Sequence, residues 1–136
     1  MNKKKSEIIA AVFLIMSLCI SALSAAAAQV SIVASANLNK QTEVVSIQGT
    51  VTGINAGKKI NLLVLKSTYS FKDLDDGSAA LEDALCRMEE LDTVSDGNGN
   101  TIFAFSPFQM PEGVAFGECE YRISVEGKYI ITQSFY

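Results

Sequence analysis

A chain of 136 residues with a formal net charge of −4, no histidine and no tryptophan is sized for one domain. The acidic balance excludes nucleic acid or an anionic membrane surface as a partner held by basic charge. The missing histidine removes Ser-His and Cys-His nucleophile pairs, His-ligated zinc and the usual general base at neutral pH.

Lys3, Lys4 and Lys5 precede an apolar run over residues 8–20. Small residues follow, and Ala26-Ala27-Ala28 supplies an A-x-A pattern. This is the layout of a secretory signal peptide over residues 1–28, with cleavage expected between Ala28 and Gln29. A retained membrane anchor is the alternative, since residues 8–28 carry no charge and approach the ~20 residues that span a bilayer. Cys19 lies inside the apolar run and leaves with the signal. Loss of Lys3, Lys4, Lys5 and Glu7 takes the net charge from −4 to −6. The expected product is a secreted or cell-surface domain, residues 29–136, with no stable membrane insertion.

In chain order, residues 29–36 place Val30, Ile32 and Ala34 on one face of a period-2 pattern and read as a first strand. Asn37-Leu38-Asn39-Lys40 has turn chemistry. Residues 43–51 alternate Val45, Ile47, Gly49 and Val51 with Ser46, Gln48 and Thr50, a half-buried strand. Residues 58–66 turn Ile60, Leu62 and Val64 one way and Leu63 and Leu65 the other. A strand this apolar needs cover on both faces, from a second sheet or a packed loop.

Residues 67–77 are polar and acidic and read as a long loop. Leu81, Leu85, Met88 and Leu91 then recur at helical spacing, which predicts a short helix over about 78–89 with Ser78 as N-cap, followed by a strand over 91–94. A strand from Leu85 onward, with Cys86 and Met88 inward, is the competing reading. Asp96-Gly97-Asn98-Gly99-Asn100 is a turn signal. Residues 101–106 turn Phe103 and Phe105 inward. Residues 117–126 alternate Cys119, Tyr121, Ile123 and Val125 with Glu118, Glu120, Arg122 and Ser124, and residues 129–136 form a last strand. About seven strands with at most one helix predict an all-β sandwich.

The stretches Ile47-Gln48-Gly49-Thr50-Val51, Lys59-Ile60-Asn61-Leu62-Leu63-Val64-Leu65-Lys66, Leu91-Asp92-Thr93 to Asp96-Gly97-Asn98-Gly99-Asn100 with Phe103 and Phe105, and residues 117–127 together resemble an immunoglobulin-like module. Such modules recur in surface proteins of Gram-positive, clostridial-type anaerobes, often beside S-layer-anchoring domains. The resemblance implies an immunoglobulin-like β-sandwich serving as a structural or adhesive element. The 136 residues contain no LPxTG-type sorting motif, which leaves the mode of attachment open.

Cys86 and Cys119 remain after export, and an even pair in an exported domain reads as a disulfide, with two reduced thiols as the alternative. The carboxylate clusters, Asp73 with Asp75 and Asp76, and Glu118 with Glu120, fall in a loop and on a solvent-facing strand, where solvated charge explains them. Asp96, Asn98 and Asn100 begin like a calcium loop, but the twelfth position is Pro107 and the motif fails. No metal or cofactor is implied, and the chain reads as a non-enzyme. Tyr69, Phe71, Phe108 and Phe116 fall in expected loops, where they either cap the core or form a patch for a glycan or peptide. The partner is therefore expected to be a protein or a glycan at the cell surface. A third reading is a subunit of a surface polymer, exchanging strand 29–36 or 129–136, and the oligomeric state is open.

Overall fold

The fold is taken from a computed structural model that describes residues 29–111 and 117–136. The signal segment 1–28, including Ala28, and Phe116 lie outside the described residues, whereas Gln29 is within them.

Alternation of apolar and polar side chains builds the first hairpin. Strands β1 (Ser31–Asn39) and β2 (Val44–Thr52) pair antiparallel, from Ser31 opposite Thr52 to Asn39 opposite Val44. β1 runs through Asn37-Leu38-Asn39 despite their turn chemistry. The turn comes later, where the Asn39 side-chain oxygen accepts from the Gln41 and Thr42 amides at 2.9 and 3.1 Å. Gly49 is required within β2. A Cβ there would meet the Val33 carbonyl oxygen, Phe103 Cζ at 2.8 Å and Ala34 Cα at 2.9 Å.

The remaining strands are β3 (Lys59–Leu65), β4 (Leu85–Asp92), β5 (Val94–Ser95), β6 (Thr101–Ala104), β7 (Phe108–Gln109), β8 (Cys119–Val125) and β9 (Tyr129–Phe135). Two antiparallel sheets result, ordered β1-β2-β6-β5, with β7 also on β2, and β4-β3-β8-β9. Two chain paths are split, which reconciles nine strands with an expectation of about seven. β4 passes into β5 by changing sheets at Thr93. That residue is 2 % exposed, and its backbone N–H and side-chain hydroxyl both donate to the Lys58 carbonyl, at 2.9 and 3.1 Å. β6 and β7 follow the same neighbour, β2, on either side of the interruption at Ser106 and Pro107. Counted by path, the order is that of immunoglobulin strands A-B-E-D against C-F-G, with one further strand beside C.

The core lies between the sheets. Ile47 and Val51 of β2, Leu62 of β3, and Tyr121 and Ile123 of β8 are buried, with the Phe103 and Phe105 rings 5.5 Å apart beside them. β8 obeys its sequence pattern throughout, with Cys119, Tyr121, Ile123 and Val125 buried and the residues between them only partly so.

The segment before β4 departs from expectation. The loop expected over 67–77 contains helix α1 (Phe71–Asp75), whose N-cap is Ser70 rather than Ser78: the Ser70 hydroxyl accepts from the Asp73 amide at 3.3 Å. The helix expected over 78–89 is reduced to α2 (Leu81–Ala84), and the chain is a strand from Leu85 onward. The expected strand 91–94 is therefore the end of a longer one. Ladder pairing with β3, Leu63 opposite Met88 and Ile60 opposite Leu91, overrides a helical spacing that tertiary context does not use. The competing strand reading is right about the strand and wrong about Met88, which is 62 % exposed. The register shifts where Leu65 pairs with Leu85 and Val64 with Arg87, so Cys86 is the extra residue of a bulge that re-phases the rest of β4.

Candidate functional site

Leu63 and Leu65 turn away from the main core, and the chain supplies the cover they require. After β3 it crosses the outer face of its own sheet as α1 and α2, forming a second small cluster of Leu65, Phe71 and Ala84 with Leu63, Tyr69 and Leu74 around it. β8 holds this excursion through the two residues whose alternation turns them outward. Glu120 Oε1 accepts from the Phe71 amide at 2.8 Å. Arg122 forks onto Asp75 with contacts of 3.2 and 3.0 Å, donates to Thr132 at 3.2 Å and lies 4.3 Å from the Phe71 ring centre. A guanidinium suits this place because it can chelate a carboxylate and stack on a ring at once.

Two adjoining depressions border the excursion. The larger measures about 530 Å³ and lies among Lys72, Asp75, Asp76, Arg122 and Thr132. The smaller measures about 270 Å³ and lies among Thr68, Tyr69, Asp73, Glu118 and Glu120. Residues that looked scattered in sequence thus converge: Tyr69, both acidic clusters and Arg122 share one rim. Glu118 is also tied to the end of the chain, accepting from the Tyr136 hydroxyl at 3.0 Å.

The electrostatics of this rim are those of structural clamps. The Arg122 hydrogen bond holds the Asp75 carboxyl below its ordinary value, and hydrogen bonds from Ser78 do the same for Asp76. At the 96–100 turn Asp96 is lowered by the Asn100 side chain and by the Asn98 and Asn100 amides, which occupy its carboxylate at 2.7–3.1 Å. Burial raises Glu89, but hydrogen bonds from Ser106 and Arg87 outweigh it and the net shift is downward. A general acid needs the opposite shift. Among the described residues no group of three or more His, Cys, Asp or Glu side chains is placed to hold a metal.

The four aromatics singled out in sequence do not assemble into one platform. Phe71 is 2 % exposed in the small cluster. Phe108 is 8 % exposed in the main core, with the Arg87 guanidinium 5.7 Å from its ring centre. Tyr69 is half-buried and borders the smaller depression, and Phe116 lies outside the described residues. Cys86 and Cys119 are free thiols. They belong to strands on either side of β3, close enough for the charge of Cys119 to act on Cys86. Cys86 Sγ lies 4.0 Å from Met110 Sδ. Burial pushes the Cys86 thiol up to about 11 and raises Cys119 as well.

The feature that sequence reasoning passed over is on the other sheet. Val33 pairs with Thr50, Thr50 with Ile102 and Ile102 with Val94, so one row of outward side chains crosses all four strands. Val33 is 61 % and Val94 53 % exposed. Ser35, Gln48 and Ala104 border the row, leaving a shallow groove of about 420 Å³. The signal was present in the outward phase of β1 and β6, but the row exists only once the register is known.

The chain is thus a small two-sheet, all-β domain of immunoglobulin-like strand order. No protein-family profile and no curated protein sequence matches it. Among solved structures it is similar to catalytically inactive OgpA from Akkermansia muciniphila, determined in complex with an O-glycopeptide (glycodrosocin) substrate. The identity is 13%, the TM-score 0.46, and the match covers 79% of this chain and 27% of that one. The chain therefore spans about a quarter of that protein's length, and a likeness at this level carries no functional argument. Among the described residues no helix is long and apolar enough to cross a membrane.

Proposed function

We propose that this chain is an exported, non-catalytic β-sandwich module of Gram-positive surface type, which binds a protein through the outer face of the β1-β2-β6-β5 sheet. The observation that carries the reading is the row Val33, Thr50, Ile102 and Val94. Three of its four members are apolar, with Ser35 and Gln48 beside them, a mixed surface that suits a protein contact. The downward shifts of Asp75, Asp76, Glu89 and Asp96 support a non-catalytic role, since these carboxylates serve as hydrogen-bond acceptors within the fold. Export rests on the signal pattern of residues 1–28.

The test expresses the full chain in a secreting Gram-positive host and sequences the N-terminus of the exported product, which should begin at Gln29. Adhesion of that product to protein-coated surfaces should fall at least ~10-fold in the Val33→Glu, Ile102→Lys variant, the loss of ~1.4 kcal/mol, with the melting temperature unchanged. Undiminished adhesion would place the contact elsewhere.

A second reading, glycan binding, draws on the smaller depression. Tyr69 stands there beside Asp73, Glu118 and Glu120, a ring with carboxylates able to accept from sugar hydroxyls. A glycan array separates the readings: glycan signal lost in Tyr69→Ala and kept in Val33→Glu, Ile102→Lys would favour this one.

A further inference from the structure

The two edges of the β4-β3-β8-β9 sheet are treated differently. An unpaired strand edge is a template for another chain, and folded proteins blunt such edges with charge, bulges and inward-pointing ionic groups. β4 has all three devices. It carries Arg87, Glu89, Glu90 and Asp92 within Leu85–Asp92, has the bulge at Cys86, and sets a half-buried Arg87–Glu89 ion pair of 3.0 Å along the edge. Glu89 also accepts from the Ser106 amide and hydroxyl at 3.2 and 3.1 Å, tying a loop against the strand.

β9 has none of them, and β1 of the other sheet runs close beside it without pairing to it. Tyr129-Ile130-Ile131-Thr132-Gln133-Ser134-Phe135-Tyr136 contains no charged residue, proline or glycine. Its pairing with β8 runs unbroken from Cys119 opposite Phe135 to Val125 opposite Tyr129. It also collects exposed apolar side chains, with Tyr129, Ile130 and Tyr136 at 38, 53 and 69 %.

The geometry points to a second copy of this chain as the occupant, paired antiparallel, β9 to β9, about a two-fold axis at the strand midpoint, Thr132. Antiparallel self-pairing is the isologous arrangement that a two-fold axis produces. It would set any charge near the axis close to its own copy, and this strand holds no charge. In that register Ile130 faces Ser134 of the second copy, Thr132 faces Thr132, and Lys128 faces Tyr136. The Tyr136 hydroxyl is bonded to Glu118 at 3.0 Å, so each end of the interface brings an ammonium group toward the other copy's carboxylate. The four-stranded sheet then continues across the axis into its copy. A contact built mainly on one strand edge belongs to the smaller, reversible class of interfaces.

The experiment is sedimentation velocity on the exported product of the full chain, from about 1 µM to about 1 mM, with amide exchange measured at both ends of that range. A monomer–dimer equilibrium is expected, with protection of residues 129–135 rising at high concentration. Ile130→Lys with Ser134→Lys sets like charges opposite each other twice and should abolish the dimer. Ile130→Lys with Ser134→Glu sets opposite charges there and should restore it. A wild-type monomer throughout, a dimer indifferent to the paired lysines, a ladder of larger species, or exchange in β9 independent of concentration would each overturn the proposal. The sheet-face adhesion variant changes none of these residues, so the two proposals fail separately.

Discussion

Phe71→Ala tests whether the α1-α2 excursion is a unit of its own. The Phe71 ring is 2 % exposed and, among the described residues, shares its cluster with two other buried side chains, Leu65 and Ala84. Burying a phenylalanine removes ~150 Å² or more from water, which at ~25 cal/mol per Å² is about 4 kcal/mol. The stacked Arg122 guanidinium adds ~0.5–1 kcal/mol. A loss of about 4 kcal/mol is close to a thousandfold in an opening equilibrium. No other wholly buried side chain of α1 remains to oppose it.

The assay is amide hydrogen exchange by mass spectrometry. Segment 67–84 should exchange several hundred-fold faster, whereas β2, β3 and β8 keep their protection, because their buried residues, Leu65 apart, belong to the separate main cluster. Opening would uncover Leu63 and Leu65, so binding of a hydrophobic dye should rise in parallel. Equal acceleration in β2, β3, β8 and the excursion would refute the reasoning by showing one cooperative unit. Unchanged exchange would show that Phe71 is not the anchor.

Gly49→Ala forces a Cβ against the Val33 carbonyl, Phe103 and Ala34. Overpacking of this kind costs ~1–3 kcal/mol, a fall in melting temperature of at least ~4 °C for a domain of this size; an unchanged melting curve would contradict the close packing of β1 on β2. Glu89 is lowered in the folded state from an ordinary value of 4.5, so it contributes stability above that pH and loses it as pH falls through the lower folded value. Glu89→Gln should therefore be less stable than wild type at pH 7 and show a shallower loss between pH 5 and 3, read from melting temperature against pH. With Cys86 pushed up to about 11, only about one thiol in a thousand is ionised at pH 8. Alkylation of the native protein should be slow and should reach both Cys86 and Cys119 in denaturant; an intact mass two hydrogens below the reduced value would establish a bridge instead.

How far sequence reaches depends on whether a pattern is local. In β8 one face meets the core and the other does not, so Cys119, Tyr121, Ile123 and Val125 announce both the strand and its orientation. Leu62 and Leu63 are adjacent and both apolar, which requires cover on two faces, and the structure supplies it with the α1-α2 excursion. β4 fails the same test because its phase is set by a bulge at Cys86, and the bulge exists only through the register against β3. Until that register is known, the spacing of Leu81, Leu85, Met88 and Leu91 fits a helix as well as a strand.

The site has the same logic at longer range. Asp75 and Arg122 stand 47 positions apart, and neither acidic cluster contains a hint that the other belongs beside it. What brings them together is the need of Leu65 for cover. That need pulls the 66–84 segment across the sheet until Asp75 reaches the outward face of β8, where Arg122 must lie because Tyr121 and Ile123 are buried on the other side. The clamp is thus a consequence of strand alternation acting on two distant segments. The contrast between β4 and β9 follows from the same rule: once alternation has assigned the faces, charge along a strand edge is free to be present or absent, and here it guards one edge and leaves the other uncharged.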